Sequence, residues 1–395
     1  MKTIARLNLV PLAFMLSILA SGCAHKPCCG TSMTPAAKFR AYVGTYTGAK
    51  SLGIYTFTFD STTGEVGPME LAAPTVNPSF LAIHPDRQHL YCVGDMTNAA
   101  GKKVGAVSAF AIEADGKLTL LNQVTTVGAG PCHLTVDKTG RMVLAANYGG
   151  GSVVSFPIKA DGSIGEHTGF VQHTGRSVTP RQAQPNAHSV NISPDNRFVF
   201  VADLGLDQVL TYKLDPAKAT FTAHEPPFVK VPPGSGPRHF CFHPNGKFAY
   251  VINEISLTVT AFRFDAAHGT LTEMQTLSTL PAADGPGPKS GWSTAEIVVH
   301  PSGKFLYGSN RGHDTIAVFA IADDGMLSLL QNATAEVKVP RNFALDPTGQ
   351  WFFTEGQKSD DIALFRVNAA TGKLTFTGKK LEVGSPVCLK FLPLR

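Results

Sequence analysis

Five segments of this 395-residue chain share one spacing, and ionisable side chains fall at equivalent places in them. Six and five residues before a recurring turn stand Cys132-His133, His188-Ser189, Arg238-His239, Ala295-Glu296 and Arg341-Asn342. Nine and ten residues after the same kind of turn stand Asn147-Tyr148, Asp203-Leu204, Asn253-Glu254 and Asn310-Arg311. Imidazole and carboxylate together can move protons near neutral pH. Guanidinium groups add forked donors for a carboxylate, a phosphate or a developing oxyanion. The flanking copies, Ser79-Phe80 and Val387-Cys388, carry no charge at these positions.

Each residue also has a structural explanation. His133 and His239 are as readily histidines that bond a neighbouring backbone as they are functional groups. His84, His243 and His300 lie in the turns themselves and read as structural. Asn147, Asn253, Asn310 and Asp203 suit strand ends. Arg238, Arg311, Arg341, Glu254 and Glu296 resist such a reading, because long charged side chains at the mouth of a narrow channel must be paired or used. No GxSxG elbow, HExxH helix, phosphate-binding Walker loop or complete GxGxxG is present, which removes support for covalent serine catalysis, a zinc site and dinucleotide binding.

The elements that position these residues repeat with the turns. The phrase runs from apolar alternation through a His-Pro or Asp-Pro turn into a second apolar run, as in SFLAIHPDRQHLYCVGD, HSVNISPDNRFVFVADL and EIVVHPSGKFLYGSNR. Its turn residue falls at Pro85, Lys138, Pro194, Pro244, Pro301, Pro347 and Pro393, at intervals of 53, 56, 50, 57, 46 and 46 residues. Each complete copy continues into a third alternating strand, and most add a Gly-centred turn such as Asp324-Gly325 and a fourth strand. Seven copies of four strands predict an all-β, seven-bladed propeller. The last copy supplies only an innermost strand, and AYVGTY with GIYTFTFD near the N-terminus supply its missing second and third strands. The two termini therefore close the ring.

Composition agrees with that architecture. Gly (38) and Pro (27) are frequent, charged residues make up 16%, and 25 Phe stand against 2 Trp. The net charge of +5 includes Lys2 and Arg6, and what is left gives no electrostatic footprint for nucleic acid. Lys2 and Arg6 precede an apolar run, Leu7 to Ala20, and then Ser21-Gly22-Cys23. That pattern predicts a lipoprotein-type signal over 1–22 with Cys23 as the lipidated residue, a tether over 23–38 and one propeller domain over 39–395. The alternative is an ordinary signal cut near Ala24. The mature protein is expected in the periplasm or cell envelope, a monomer touching the membrane only through an anchor at Cys23. Cys92, Cys132, Cys241 and Cys388 lack metal-ligand spacing and read as buried free thiols, so neither metal nor cofactor is expected.

The strings NPSFLAIHPD (77–86), AHSVNISPDNRFVFVADLGLDQVLTY (187–212), GSGPRHFCFHPNGKFAYVINE (234–254), STAEIVVHPSGKFLYGSNRG (293–312) and PRNFALDPTG (340–349) resemble the seven-bladed lactonase family. That family includes propeller-type 6-phosphogluconolactonase and carboxymuconate lactonizing enzyme. The resemblance extends from YVGTYTG (42–48) to the C-terminus. It implies that His188, Glu254, Arg238 and Arg311 act on a small lactone, with His239, Glu296 and Arg341 beside them, while His133 is a candidate substrate contact from the repeat spacing. Asn147, Asn253 and Asn310 join the candidate substrate contacts. The implied reaction is metal-independent hydrolysis of a sugar lactone, 6-phosphoglucono-1,5-lactone or a related aldonolactone. Muconate cycloisomerisation, or capture of an anionic sugar without turnover, stands as the alternative. Asn186 occupies a place where many relatives carry a second His, which weakens a proton-transfer role there. The loops 175–187 and 281–293, carrying Arg176, Arg181, Lys289 and Trp292, are expected to shape the pocket rim.

Overall fold

The structure is a computed structural model that describes residues 37–285 and 287–394. The expected signal segment, Cys23 and most of the expected tether lie outside those residues. Seven antiparallel sheets form the blades, and six of them take four consecutive strands in chain order. The inner strands of these six are Val76–Ile83, Pro131–Val136, Ala187–Ile192, Pro237–Phe242, Ser293–Val299 and Pro340–Leu345. In the seventh blade the C-terminal strand Pro386–Pro393 is innermost and pairs with Lys38–Thr45, from Phe39 opposite Pro393 to Val43 opposite Leu389. Gly53–Asp60 follows, and its outer edge takes Glu65–Val66 and Glu70–Pro74. The ring is closed as the half-repeats predict.

Blade faces pack against one another, so second strands are covered on both sides. Met142–Asn147, Phe198–Asp203 and Phe248–Asn253 are buried at every residue, which explains their unbroken apolar runs. Outer strands such as Leu327–Thr334 meet water and carry polar residues. Two polar contacts recur between blades. Tyr42, Tyr91, Tyr250 and Tyr307 donate their hydroxyls to the carbonyls of Gly116, Gly162, Gly325 and Gly372 in the next blade, at 3.2, 2.9, 3.1 and 2.8 Å. His84, His243 and His300 bond the carbonyls of Gly140, Gly303 and Gly349 at 2.8, 2.7 and 2.9 Å, which makes these three histidines structural.

One irregularity aims the candidate residues. Inner-strand pairing shifts register between Ala187 and Ser189, between Pro237 and His239, and between Pro340 and Asn342. The residues passed over are His188, Arg238 and Arg341. A bulge leaves its extra residue unpaired and turns that side chain out of the pleat. The residue six before each turn therefore points to one channel mouth, and the residue five before it lies deeper. Phe80, His133, His239, Glu296 and Asn342 belong to that deeper layer.

Candidate active site

Glu254 follows the second strand of its blade and is buried, with four cation-capable neighbours. Its Oε2 accepts from Arg238 Nε at 2.9 Å and lies 3.0 Å from Arg311 Nη2 and 3.9 Å from His188 Nε2. Its Oε1 accepts from Arg181 Nη2. Burial alone would raise the carboxyl's pKa, but Arg311, Arg238 and Arg181 reverse that and hold it well below the usual carboxylate range. Arg238 is itself 2% exposed, and its Nη1 donates to the Ala295 carbonyl at 2.7 Å. Burial, with Arg341 and Arg311 nearby, lowers its pKa to about 9, so it stays charged at neutral pH. Arg311 donates from Nη2 to the Thr294 carbonyl at 2.7 Å, while its buried Nε has no partner.

His188 sits beside this cage with its ring 5.1 Å from Tyr148 and 5.4 Å from His239. Burial and the charges of Arg238, His239 and Arg341 push its pKa well below 6.5, leaving a neutral imidazole at pH 7. Its Nδ1 is 3.7 Å from Cys132 Sγ. Burial raises that thiol to about 12, so the contact is not a thiolate–imidazolium pair. Cys92, Cys241 and Cys388 are likewise free; Cys92 and Cys388 are buried as expected, whereas Cys132 and Cys241 are partly buried.

His188, Glu254, Arg311, Arg341 and Arg181 line one cavity of about 370 Å³ with Tyr46, Asn77, Asp95, Cys132 and Tyr148. Arg341 lies over the Tyr46 ring, 5.5 Å from its centroid. Arg181 comes from the first rim loop, where Pro180–Gln182 forms a 3-10 turn. Asp207 secures that loop by accepting from Gln182 Nε2 at 2.8 Å and from the Gly234 and Gly236 amides at 2.7 Å each. Asn77 adopts a left-handed backbone, φ 50°, and donates to Asp95 Oδ2 at 2.7 Å. Asn suits that conformation, since its short polar side chain bonds locally.

The other candidates are placed elsewhere. His239 lies one layer deeper, its Nδ1 3.1 Å from both oxygens of Glu296, and burial lowers its pKa to about 4. Glu296 also accepts from Asn342 Nδ2 and the Ile297 amide. His133 stacks on Phe80 at 4.1 Å and accepts from the Val190 amide at 3.3 Å. Asn147, Asn253 and Asn310 turn their amides towards Ser152, Thr258 and Thr315 of their own blades, Asn147 and Asn310 also donate to the Thr126 and Thr279 carbonyls of the preceding blades, and none lines the cavity. Asn186 donates to the Tyr148 carbonyl at 2.9 Å, and its own amide donates to Asp203, which binds His173 at 2.7 Å.

Sequence reasoning passed over Tyr46, Asn77, Asp95 and Glu355. Glu355 is fully buried with both carboxyl oxygens unpartnered. The repeat held a signal for it, because Glu355 pairs with Asn342 where other blades pair Ala146, Ala202 and Ile252 with His133, Ser189 and His239.

Comparison with known proteins agrees with this architecture. Residues 40–391 match the family model described as Lactonase, 7-bladed beta-propeller. The 6-phosphogluconolactonase of Bacillus subtilis is 36% identical over 357 residues, covering 90% of this chain and 99% of that protein. The periplasmic gluconolactonase of Pseudomonas aeruginosa superposes with a TM-score of 0.83 at 34% identity, covering 90% of this chain and 99% of the other. A putative 6-phosphogluconolactonase from Bacteroides fragilis gives 0.82 at 37% identity, with 90% and 98% covered. The chain is thus an enzyme of the seven-bladed β-propeller lactonase family.

Proposed function

We propose that the chain hydrolyses a sugar lactone, with 6-phosphoglucono-1,5-lactone or a related aldonolactone as substrate. The observation that carries this reading is the His188 imidazole lining the same cavity as a carboxylate held by three guanidiniums. Four Arg charges against Glu254 and Asp95 leave that mouth net positive, which suits an anionic substituent or an acid product. Similarity to 6-phosphogluconolactonases and to a periplasmic gluconolactonase supports the substrate class.

In this mechanism His188 Nε2 takes a proton from water as the water oxygen bonds to the lactone carbonyl carbon. Arg311 and Arg341 stabilise the tetrahedral oxyanion. The ring C–O bond then breaks, and the imidazolium returns its proton to the departing alkoxide. Glu254 stabilises that imidazolium from 3.9 Å and keeps the guanidiniums oriented. Its own low basicity argues against its being the base. No step requires a metal. His133, His239, Glu296, Asn147, Asn253 and Asn310 support the site from behind the cavity wall.

The test is acid release at constant pH from a panel of phosphorylated and unphosphorylated aldonolactones. Turnover by the wild type and its loss in His188→Ala support hydrolysis. Lactone formation from a muconate, with no aldonolactone opened, would replace it with the cycloisomerase reading. We also propose export with an anchor at Cys23, supported by the N-terminal pattern and by the periplasmic relative. Release of Cys23→Ala from the membrane fraction checks the anchor.

A further inference from the structure

The channel has a second mouth, and a separate cavity of about 550 Å³ opens there. It shares no lining residue with the catalytic cavity. Between them lies the deeper layer, in which the rings of Phe80 and His239 are 5.6 Å apart and those of His133 and His239 5.3 Å apart.

Charge at this mouth is unbalanced. Lys390, on the C-terminal inner strand, lies 4.7 Å above the Phe80 ring and has no carboxylate within 4.0 Å among the described residues. Lys138 reaches the rim and donates to the Pro194 carbonyl. Asn191 adds an amide. The one acidic residue in the wall, Glu296, already accepts from His239, Asn342 and the Ile297 amide. Beside Thr135 and His133, the rest of the wall is apolar, including Leu134, Val136, Phe240 and Phe391. Glu296 and Glu355 act on this ammonium only from beyond ion-pair contact, so Lys390, held over an aromatic face, keeps room for a direct carboxylate partner.

We propose that this second mouth binds a small organic monocarboxylate with a flat apolar body, its carboxylate on Lys390 and its body against Phe80, Phe240 and Phe391. Such a ligand gives Lys390 a direct ion-pair partner and covers aromatic surface in one step. The site is independent of the lactone reading, because its recognition uses none of the catalytic side chains.

The probe is 4-fluorobenzoate, followed by its 19F linewidth against the full chain without any lactone. Saturable broadening is expected from the wild type, retained in Arg341→Met and weakened about tenfold or more in Lys390→Met, as expected for loss of a charge-assisted hydrogen bond. Lys390→Arg keeps the charge and should keep binding, which separates loss of the site from loss of the fold. Absence of saturable broadening from the wild type overturns the proposal. So does binding that disappears in Arg341→Met yet survives Lys390→Met, since the probe would then occupy the catalytic mouth.

Discussion

Glu254 Oε2 lies 3.9 Å from His188 Nε2 but only 2.9 Å from Arg238 Nε. The carboxylate is bound first to the guanidinium and only second faces the imidazole. It thus serves two functions from one oxygen, as counterion to a buried Arg and as the nearest negative charge to a developing imidazolium. Neutralising it affects both. Glu254→Gln should lower kcat/KM for a lactone by about a hundredfold or more. It should also destabilise the fold by about 3–5 kcal/mol, because a buried charge loses its partner. Parallel acid-release kinetics and urea unfolding check the two effects. A variant with full activity would remove Glu254 from the chemistry.

His188 is expected to set the acid limb of the pH–rate profile. Its pKa lies well below 6.5 in the free protein, through burial and the neighbouring charges of Arg238, His239 and Arg341. The basic form therefore dominates throughout the neutral range, and kcat/KM should be flat from pH 6.5 upward until lactone hydrolysis in solution intervenes. An anionic substrate that neutralises Arg341 should raise the His188 pKa, moving the acid limb of kcat above that of kcat/KM. His188→Ala should cost about a hundredfold or more and abolish the limb. An acid limb left unchanged in the variant would assign it to another group.

Acid stability should depend on the histidine cluster. Folding depresses the pKa values of His133, His188 and His239, the last to about 4, chiefly by burial. Below pH 6.5 the unfolded chain therefore binds more protons than the folded one, so stability is complete above pH 6.5 and falls as the pH drops towards 4. Each histidine contributes a slope of at most about 1.4 kcal/mol per pH unit in that window. Glu254 and Glu296, whose folded pKa values are also lowered, act in the same direction at lower pH. Urea midpoints measured from pH 7 to pH 4 should fall steeply, and His239→Gln should flatten the curve. A profile no steeper in the wild type than in His239→Gln would rule out this origin.

The propeller, its ring closure and most of the caged site were legible because the repeat gave every residue an address. His188, Arg238 and Arg341 share one address, and a bulge there aims all three at the same mouth. The three asparagines share another, yet their amides bond Ser152, Thr258 and Thr315 within their own blades. Equivalence in a repeat fixes position along a strand, but side-chain direction also depends on local register, which spacing does not carry. Arg181 was visible only as a rim residue, because it reaches Glu254 through a loop whose path is set by Asp207. Tyr46 and Asn77 lie outside both addresses, in the closing and first blades, whereas Asp95 stands ten residues after Pro85, the address of Tyr148, Glu254 and Arg311, a signal that the uncharged pair Ser79-Phe80 masked.

Glu355 carries the remaining prediction. It stands where three other blades place Ala146, Ala202 and Ile252, fully buried, with neither oxygen bonded. Burial, reinforced by Glu296, raises its pKa well above 4.5, although Lys390 opposes this. The folded chain thus keeps this proton at pH values where the unfolded chain has released it. As the pH rises above 4.5 the unfolded state is increasingly favoured, so the group costs stability at neutral pH and less in acid. Glu355→Gln has the same shape and no proton to lose. The variant's stability relative to wild type should therefore improve with pH, by at most about 1.4 kcal/mol per unit between pH 4.5 and the folded pKa. Urea midpoints of both proteins at pH 5 and pH 8 provide the measurement. A difference that stays constant across that range would mean that Glu355 is ionised in the fold, with Lys390 as its counterion.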